Sequence, residues 1–294
     1  IQLGGDSITA MRIVAQINAL GYEIKASDLL SGMTPNQIVL KGKKVLIQES
    51  KLKSAPLSPT QSLFFRRNQH NFHNWIFSAQ IKLEKGINLN MLHQAAQEII
   101  LRHDALRAYI DPVRLVQTLG ELHESQIMYS STIISSNEVI ARVNSLINIS
   151  SGPNFVVYID SEKMIIAGQH LWLDIVSIHI IVDEMQSYIK SPNSLKYDVN
   201  SYFNWSSKLS FDLGNGLFNS EIEYWNRITK ITTDLKLVIH GKNPLESEVE
   251  RHISRISHKN FANFSSLDIE ALLLTALISG FFSQDETGEL LIEL

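Results

Sequence analysis

The sequence contains no cysteine. That excludes disulfides, thiolate metal ligands and a cysteine nucleophile, and it suits a reducing compartment such as the cytoplasm. Long apolar runs are also missing. The most apolar stretch, Ala271 to Phe282, is about half the ~20 residues a bilayer span needs and reads as a buried helix. No basic segment followed by an apolar one opens the chain as a targeting signal would, so no membrane attachment is expected. Basic residues are neither in excess nor clustered: 26 Lys and Arg stand against 30 Asp and Glu, for a net charge of −4. No basic stripe points to nucleic acid. Internal repeats and low-complexity tracts are absent too. What is present is ample core material, with 44% hydrophobic residues in a chain of 294, enough for one large domain beside a small one.

Residues 1–45 read as short helices. After Gly4, Gly5, Asp6 and Ser7, the spacing of Ile8, Met11, Val14, Ala15, Ile17 and Leu20 is helical, and Gly21 stops it at the position after the cap. Asp28, Leu29 and Leu30 form a helical turn. Thr34 is placed to cap a further helix with Pro35 in its first position. The chain opens almost directly into a helix, so both ends are expected to be cuts in a longer polypeptide. Residues 46–56, rich in lysine and polar side chains, read as a linker.

From residue 57 the pattern changes. Ser58 can cap a helix that begins at Pro59 and packs Leu63, Phe64 and Phe65 inward. Alternation of Trp75, Phe77, Ala79, Ile81 and Leu83 predicts a strand, and Leu89 to Ile100 a helix. A strand over 106–110, a helix over 137–147 capped by Ser136, and strands over 155–159 and 164–171 follow. Elements alternating in this way argue for an α/β fold with a mixed sheet.

The last of these strands leads into Gly168, Gln169, His170, Leu171, Trp172, Leu173, Asp174, Ile175, Val176 and Ser177, and then into a helical pattern. A histidine at such a junction can be aimed into a cleft, and imidazole is the side chain best suited to moving protons near neutral pH. The plainer reading makes His170 a strand end and Asp174 a helix cap. Other groups favour plain readings. His70 and His73, near Trp75, lack an acidic or third histidine partner and read as loop residues rather than metal ligands. Arg102 and Arg107 read as ion pairs at a helix end. Tyr202, Phe203 and Trp205 read as core, and Glu221, Glu223, Tyr224 and Trp225 as a helix whose aromatic face packs between lobes.

Taken together these segments resemble known families. The run Leu3-Gly4-Gly5-Asp6-Ser7-Ile8, the helix after it, Asp28-Leu29-Leu30 and Thr34-Pro35 are similar to the C-terminal half of a peptidyl carrier domain. That resemblance implies that Ser7 carries 4′-phosphopantetheine, whose diester would sit near the positive end of a helix dipole. Residues 57–294 resemble the condensation superfamily of nonribosomal peptide synthetases. The likeness rests on Leu57-Ser58-Pro59-Thr60-Gln61 with Phe64-Phe65, His70 to Trp75, His103-Asp104-Ala105-Leu106-Arg107, and Gln169 to Asp174 in the place of the HHxxxDG motif. Pro59-Thr60-Gln61 and Leu272-Leu273-Leu274-Thr275-Ala276-Leu277 point to the epimerization branch, and Gly288 to Leu294 is similar to the strand leading into its EGHGRE motif.

The implied architecture is a chloramphenicol acetyltransferase-like lobe with a mixed sheet and flanking helices, preceded by part of a small all-α carrier bundle. The N-terminal lobe would run to about residue 225. The implied activity is inversion at Cα of an aminoacyl or peptidyl thioester held on the carrier, with His170 as one of two protonatable groups. Its usual partner, the glutamate of EGHGRE, has no counterpart in the sequence. Asp174, Gln169 and Ser177 would support His170, with Asp174 orienting the loop. Expected partners are a phosphopantetheinyl transferase, an adenylation domain upstream and a condensation domain downstream. Gln169 replaces the motif's first histidine and Ile175 its glycine, and a β-branched residue does not adopt positive φ comfortably. Ile175 could also narrow the tunnel to His170. Peptide-bond formation, and a degenerate domain that only docks a partner, therefore stand as alternatives.

Overall fold

The computed structural model describes residues 7–44, 52–67, 75–195, 200–230 and 269–281. Two compact units divide the chain, residues 1–215 and 216–294.

The first unit begins with α1 (Ser7–Ala19), β1 (Tyr22–Glu23), α2 (Ala26–Leu30), α3 (Pro35–Lys41) and β2 (Lys43–Lys44). Gly21 takes φ 82°, as the end of α1 requires. Thr34 caps α3, its hydroxyl accepting the Gln37 N–H while the Gln37 side chain returns to the Thr34 N–H. Lys41 reaches back from α3 to the buried Asp28 of α2 at 2.6 Å, closing this small helical segment. The short strands β1 and β2 pair antiparallel beneath it.

The larger part continues with β3 (Ser54–Pro56), α4 (Pro59–Arg67), β4 (Ile76–Lys82), α5 (Leu89–Arg102), β5 (Ala108–Asp111), β6 (Val116–Leu119), β7 (Ile127–Tyr129), α6 (Ser136–Leu146), β8 (Phe155–Ile159), β9 (Lys163–Gln169), α7 (Ile175–Lys190) and α8 (Tyr202–Gly214). The main sheet has the order β4-β9-β8-β7, with β7 parallel to β8 and the other pairs antiparallel. The sheet is therefore mixed, as its alternation with helices predicts. β8 and β9 are buried along their whole length because helices cover both faces. Even-numbered β9 residues Met164 and Ile166 pack with Leu92, Ile99, Ile181 and Met185 of α5 and α7. Odd-numbered Ile165 and Ala167 pack with Val139 and Val143 of α6. Beside this sandwich lies a second sheet, β3-β6-β5.

Several expectations are corrected. Ser54–Pro56, read as the end of the linker, forms an edge strand on β6, where proline is tolerated because one side of the strand needs no donor. Asp104–Arg107 makes a single 3-10 turn, so the strand read from 106 begins at Ala108. Ser135, not Ser136, caps α6, and the Ser136 hydroxyl bonds Gln80 instead. Leu63 is 39% exposed rather than packed inward, whereas Phe64 and Phe65 join a core with Leu57, Ile110 and Leu171.

In the second unit the described elements are a 3-10 turn at Asn219–Glu221, α9 (Ile222–Ile228) and α10 (Ile269–Phe281). α10 contains the Leu272–Leu277 run. Tyr224 and Trp225 are each about half exposed, with ring centroids 5.2 Å apart. His70, His73 and the segment from Gly288 to Leu294 lie outside the described residues. No helix among the described residues is long and apolar enough to cross a membrane, and no group of His, Asp and Glu there could hold a metal ion.

Candidate active site

His170 stands one residue past β9, at the end of the buried centre of the sheet. Its backbone N–H donates to the Trp75 carbonyl at 2.9 Å, extending the β4–β9 ladder by one step. The alternation of β9 puts His170 on the same side as Ile166 and Gly168, facing α7. A Cβ on Gly168 would come within 3.0 Å of the Asn154 carbonyl and 3.1 Å of Leu173, so the turn closes tightly over the strand.

Five hydrogen bonds fix the turn that carries His170. The Gln169 N–H donates to the Asn154 carbonyl at 2.8 Å, and Trp172 and Leu173 N–H groups donate back to Gln169. The Gln61 amide reaches the Leu171 carbonyl at 3.4 Å from α4, where Gln61 also forms a capping box with Ser58. Trp172 Nε1 donates to Gln117 at 3.2 Å, and Gln117 in turn donates to the Pro56 carbonyl. The second sheet thereby holds the turn from the other side.

The imidazole itself has a defined hydrogen-bond state. Nδ1 lies 2.8 Å from the Leu173 carbonyl, and a carbonyl can only accept. In the neutral ring Nδ1 therefore carries the proton and Nε2 is the basic nitrogen. Trp75 and Phe77 flank the ring at centroid distances of 4.6 and 5.3 Å, and Phe64 stacks behind Trp75 at 4.8 Å. This aromatic buttress restricts the ring's rotation.

His170 lines a cavity of about 460 Å³ with Ser58, His103, Asp104, Leu173, Asp174, Ser177, Ile180, Tyr202 and Trp205 among its walls. Asp174 is exposed and caps α7, its Oδ1 accepting both the N–H and the hydroxyl of Ser177 at 2.7 Å. The structure thus brings His170, Asp174 and Ser177 together. It does not bring Gln169 to them: this residue is buried, belongs to the α6 side of the sheet and is not in the cavity wall. Gln169 supports the site through its backbone, whose N–H and carbonyl anchor the turn. Ile175 is likewise outside the cavity wall. It begins α7 with its side chain 41% exposed and without positive φ, so it does not narrow the approach to His170.

Opposite His170, the buried Asp104 accepts the Ser201 hydroxyl and the Tyr202 N–H, which fixes the start of α8 at the cavity. Burial pushes the Tyr202 phenol above its ordinary range, a hydrogen bond with Ser58 opposes that, and the Asp104 charge adds to it. Tyr202 therefore stays a neutral donor. Tyr202 and Trp205 (centroids 5.4 Å apart) were expected in the core, yet they form the cavity's aromatic wall, while Phe203 is the fully buried member. Their three-residue spacing puts both rings on one helix face without saying whether that face meets the core or a cavity.

From the cavity wall, His103 Nε2 reaches Glu184 at 2.6 Å, and Arg102 approaches the same carboxylate at 3.5 Å. Burial pulls the Glu184 pKa upward, but the His103 hydrogen bond and the His103 and Arg102 charges outweigh it and hold the group below its ordinary value. Arg107 donates to the carbonyls of Ile100, Leu101 and Gly120, closing the end of α5. Neither arginine is placed for a phosphate.

Ser7 is exposed at the first position of the thirteen-residue α1, whose first turn carries no acidic side chain. A phosphodiester on its oxygen would lie at the positive end of the α1 dipole, so an exposed serine at this position fits 4′-phosphopantetheine.

Comparison with known proteins agrees. Residues 1–40 match the phosphopantetheine attachment site family, which supports that group as the covalent cofactor. Gramicidin S synthase 1 of Brevibacillus brevis is 25% identical over 262 residues, covering 80% of this chain and 23% of the relative. The chain thus spans less than a quarter of that relative's length. Two solved structures share the fold. The epimerization domain from the third module of tyrocidine synthetase B has a TM-score of 0.53 at 21% identity, covering 64% of this chain and 46% of that one. The starter condensation domain of rhizomide synthetase has a TM-score of 0.51 at 14% identity, covering 62% and 49%. Residues 51–271 match the condensation domain family, and the chain belongs to it.

Proposed function

We propose that this chain is the carrier–epimerization segment of a nonribosomal peptide synthetase, inverting Cα of an aminoacyl or peptidyl group attached through Ser7. The observation that carries this reading is the state of His170: Nδ1 is committed to the Leu173 carbonyl, so Nε2 is free to take a proton at the cavity. When bound, 4′-phosphopantetheine presents the substrate as a thioester, which acidifies the proton on Cα. His170 Nε2 removes that proton, the imidazolium that results is held by the same carbonyl, and a proton returned to the opposite face of Cα by water or a second acid completes the inversion. The aromatic rings of Trp75 and Phe77 hold the imidazole in one orientation. Asp174 fixes the start of α7 and takes no proton itself. Tyr202, a neutral phenol on the facing wall, is a donor available to charge developing on the substrate.

Loading Ser7 with an L-aminoacyl group and hydrolysing the product tests the proposal by chirality. A mixture containing the D-form, lost in His170→Ala, is expected. Retention of pure L-residue, with a peptide formed when an acceptor carrier is supplied, selects condensation instead. Retention of the L-residue and no peptide leaves a domain that docks partners without turnover.

A further inference from the structure

Among the described residues, the carrier segment meets the cavity-bearing part of the molecule where α1 packs on α7. There the Arg12 guanidinium grips Asp183 with Nη2 at 2.6 Å and Nε at 3.2 Å from the same oxygen. Asp183 is three residues after Ile180, which lines the cavity. Positions i and i+3 share a helix face and lie about 4.5 Å apart along the axis. The ion pair is therefore one turn from the cavity wall, on the helix that Asp174 caps. The next residue, Glu184, points to the inner side of α7 and holds His103 and Arg102. One helix thus carries the cavity wall, a partly buried acid on its inner side and an outward acid that meets the carrier.

We propose that Asp183 is the docking acid of α7 and Arg12 its partner on the carrier, and that this pair holds the carrier of the same chain at the rim of the His170 cavity. Both side chains are about one-third exposed, so the contact is weak and reversible, as a carrier that must visit other domains requires. The assignment rests on contact geometry and holds whichever reaction the cavity performs.

The lack of cysteine makes a distance measurement direct. Spin labels on Val39→Cys in α3 and Val113→Cys in the β5–β6 turn, positions 77% and 89% exposed, report the separation of the carrier from the sheet. Pulsed dipolar spectroscopy on the full chain should show one dominant short distance. Arg12→Glu should lower the docked-to-undocked ratio about threefold or more, since an attraction becomes a repulsion. Combining Arg12→Glu with Asp183→Arg should restore it. A distribution unchanged by Arg12→Glu, or one the double reversal fails to restore, overturns the proposal. Turnover is not read in this experiment, so its outcome is separate from the test of epimerization.

Discussion

At the scale of single residues, the chemistry depends on which side-chain atoms are already committed. His170 has one nitrogen bound to a carbonyl and one free, Asp174 has an oxygen used twice by Ser177, and Asp104 is engaged by Ser201 and Tyr202. Only the first retains reactive capacity toward the cavity. Glu184 is also committed, and its depressed pKa has a consequence for stability. A carboxylate whose folded pKa lies below its unfolded value, near 4.3, contributes stability that is fully present above that value. The contribution disappears as pH falls through the lower folded pKa. Denaturant melts between about pH 6 and pH 3 should therefore lose stability with acidification, and the slope should be shallower in Glu184→Gln. An equal slope in both proteins would mean that Glu184 is not held by His103 and Arg102.

At the scale of elements, the turn between β9 and α7 is the part most constrained by its surroundings. Gly168 lies against the Asn154 carbonyl and Leu173, so Gly168→Ala should cost about 1–3 kcal/mol by crowding the turn, measured as a shift in the denaturation midpoint. An unchanged midpoint would show that the turn can relax. This region was legible in the sequence because strand, turn and helix each carried a local signal: continuous apolar residues in β9, Asp174 as a cap, and 3.6-residue periodicity in α7. The capping boxes at Thr34 and Ser58 were readable for the same reason. Illegible were β3, β6 and β7, which are three or four residues long and exist through pairing with distant strands. Ser54, Ala55 and Pro56 carry no strand signal of their own; β6 imposes the extended form. The side of the sheet to which Gln169 belongs followed from register, and the exposure of Trp205 from how α8 meets Asp104. Neither is encoded locally, so Gln169 was placed in the site and Trp205 in the core.

At the scale of the molecule, a helical carrier segment and a condensation-family sandwich share one chain, with Lys44 and Leu52 separated by only a short stretch. A short connection raises the effective concentration of carrier at the cavity to roughly the millimolar range. A docking contact as weak as one exposed ion pair is then sufficient. The chain supplies no thiol of its own, so a thioester can be held here only on a group added to it, and Ser7 is the position that fits one. The proposed role of His170 is to move the Cα proton of that thioester. Its most direct test is solvent exchange: the chain, loaded at Ser7 with an L-aminoacyl group, is placed in deuterium oxide and the released amino acid is weighed by mass spectrometry. A gain of one mass unit at Cα is expected, slowed about 10²- to 10⁴-fold in His170→Ala. No gain in the unaltered chain, or a gain unaffected by His170→Ala, would contradict that role.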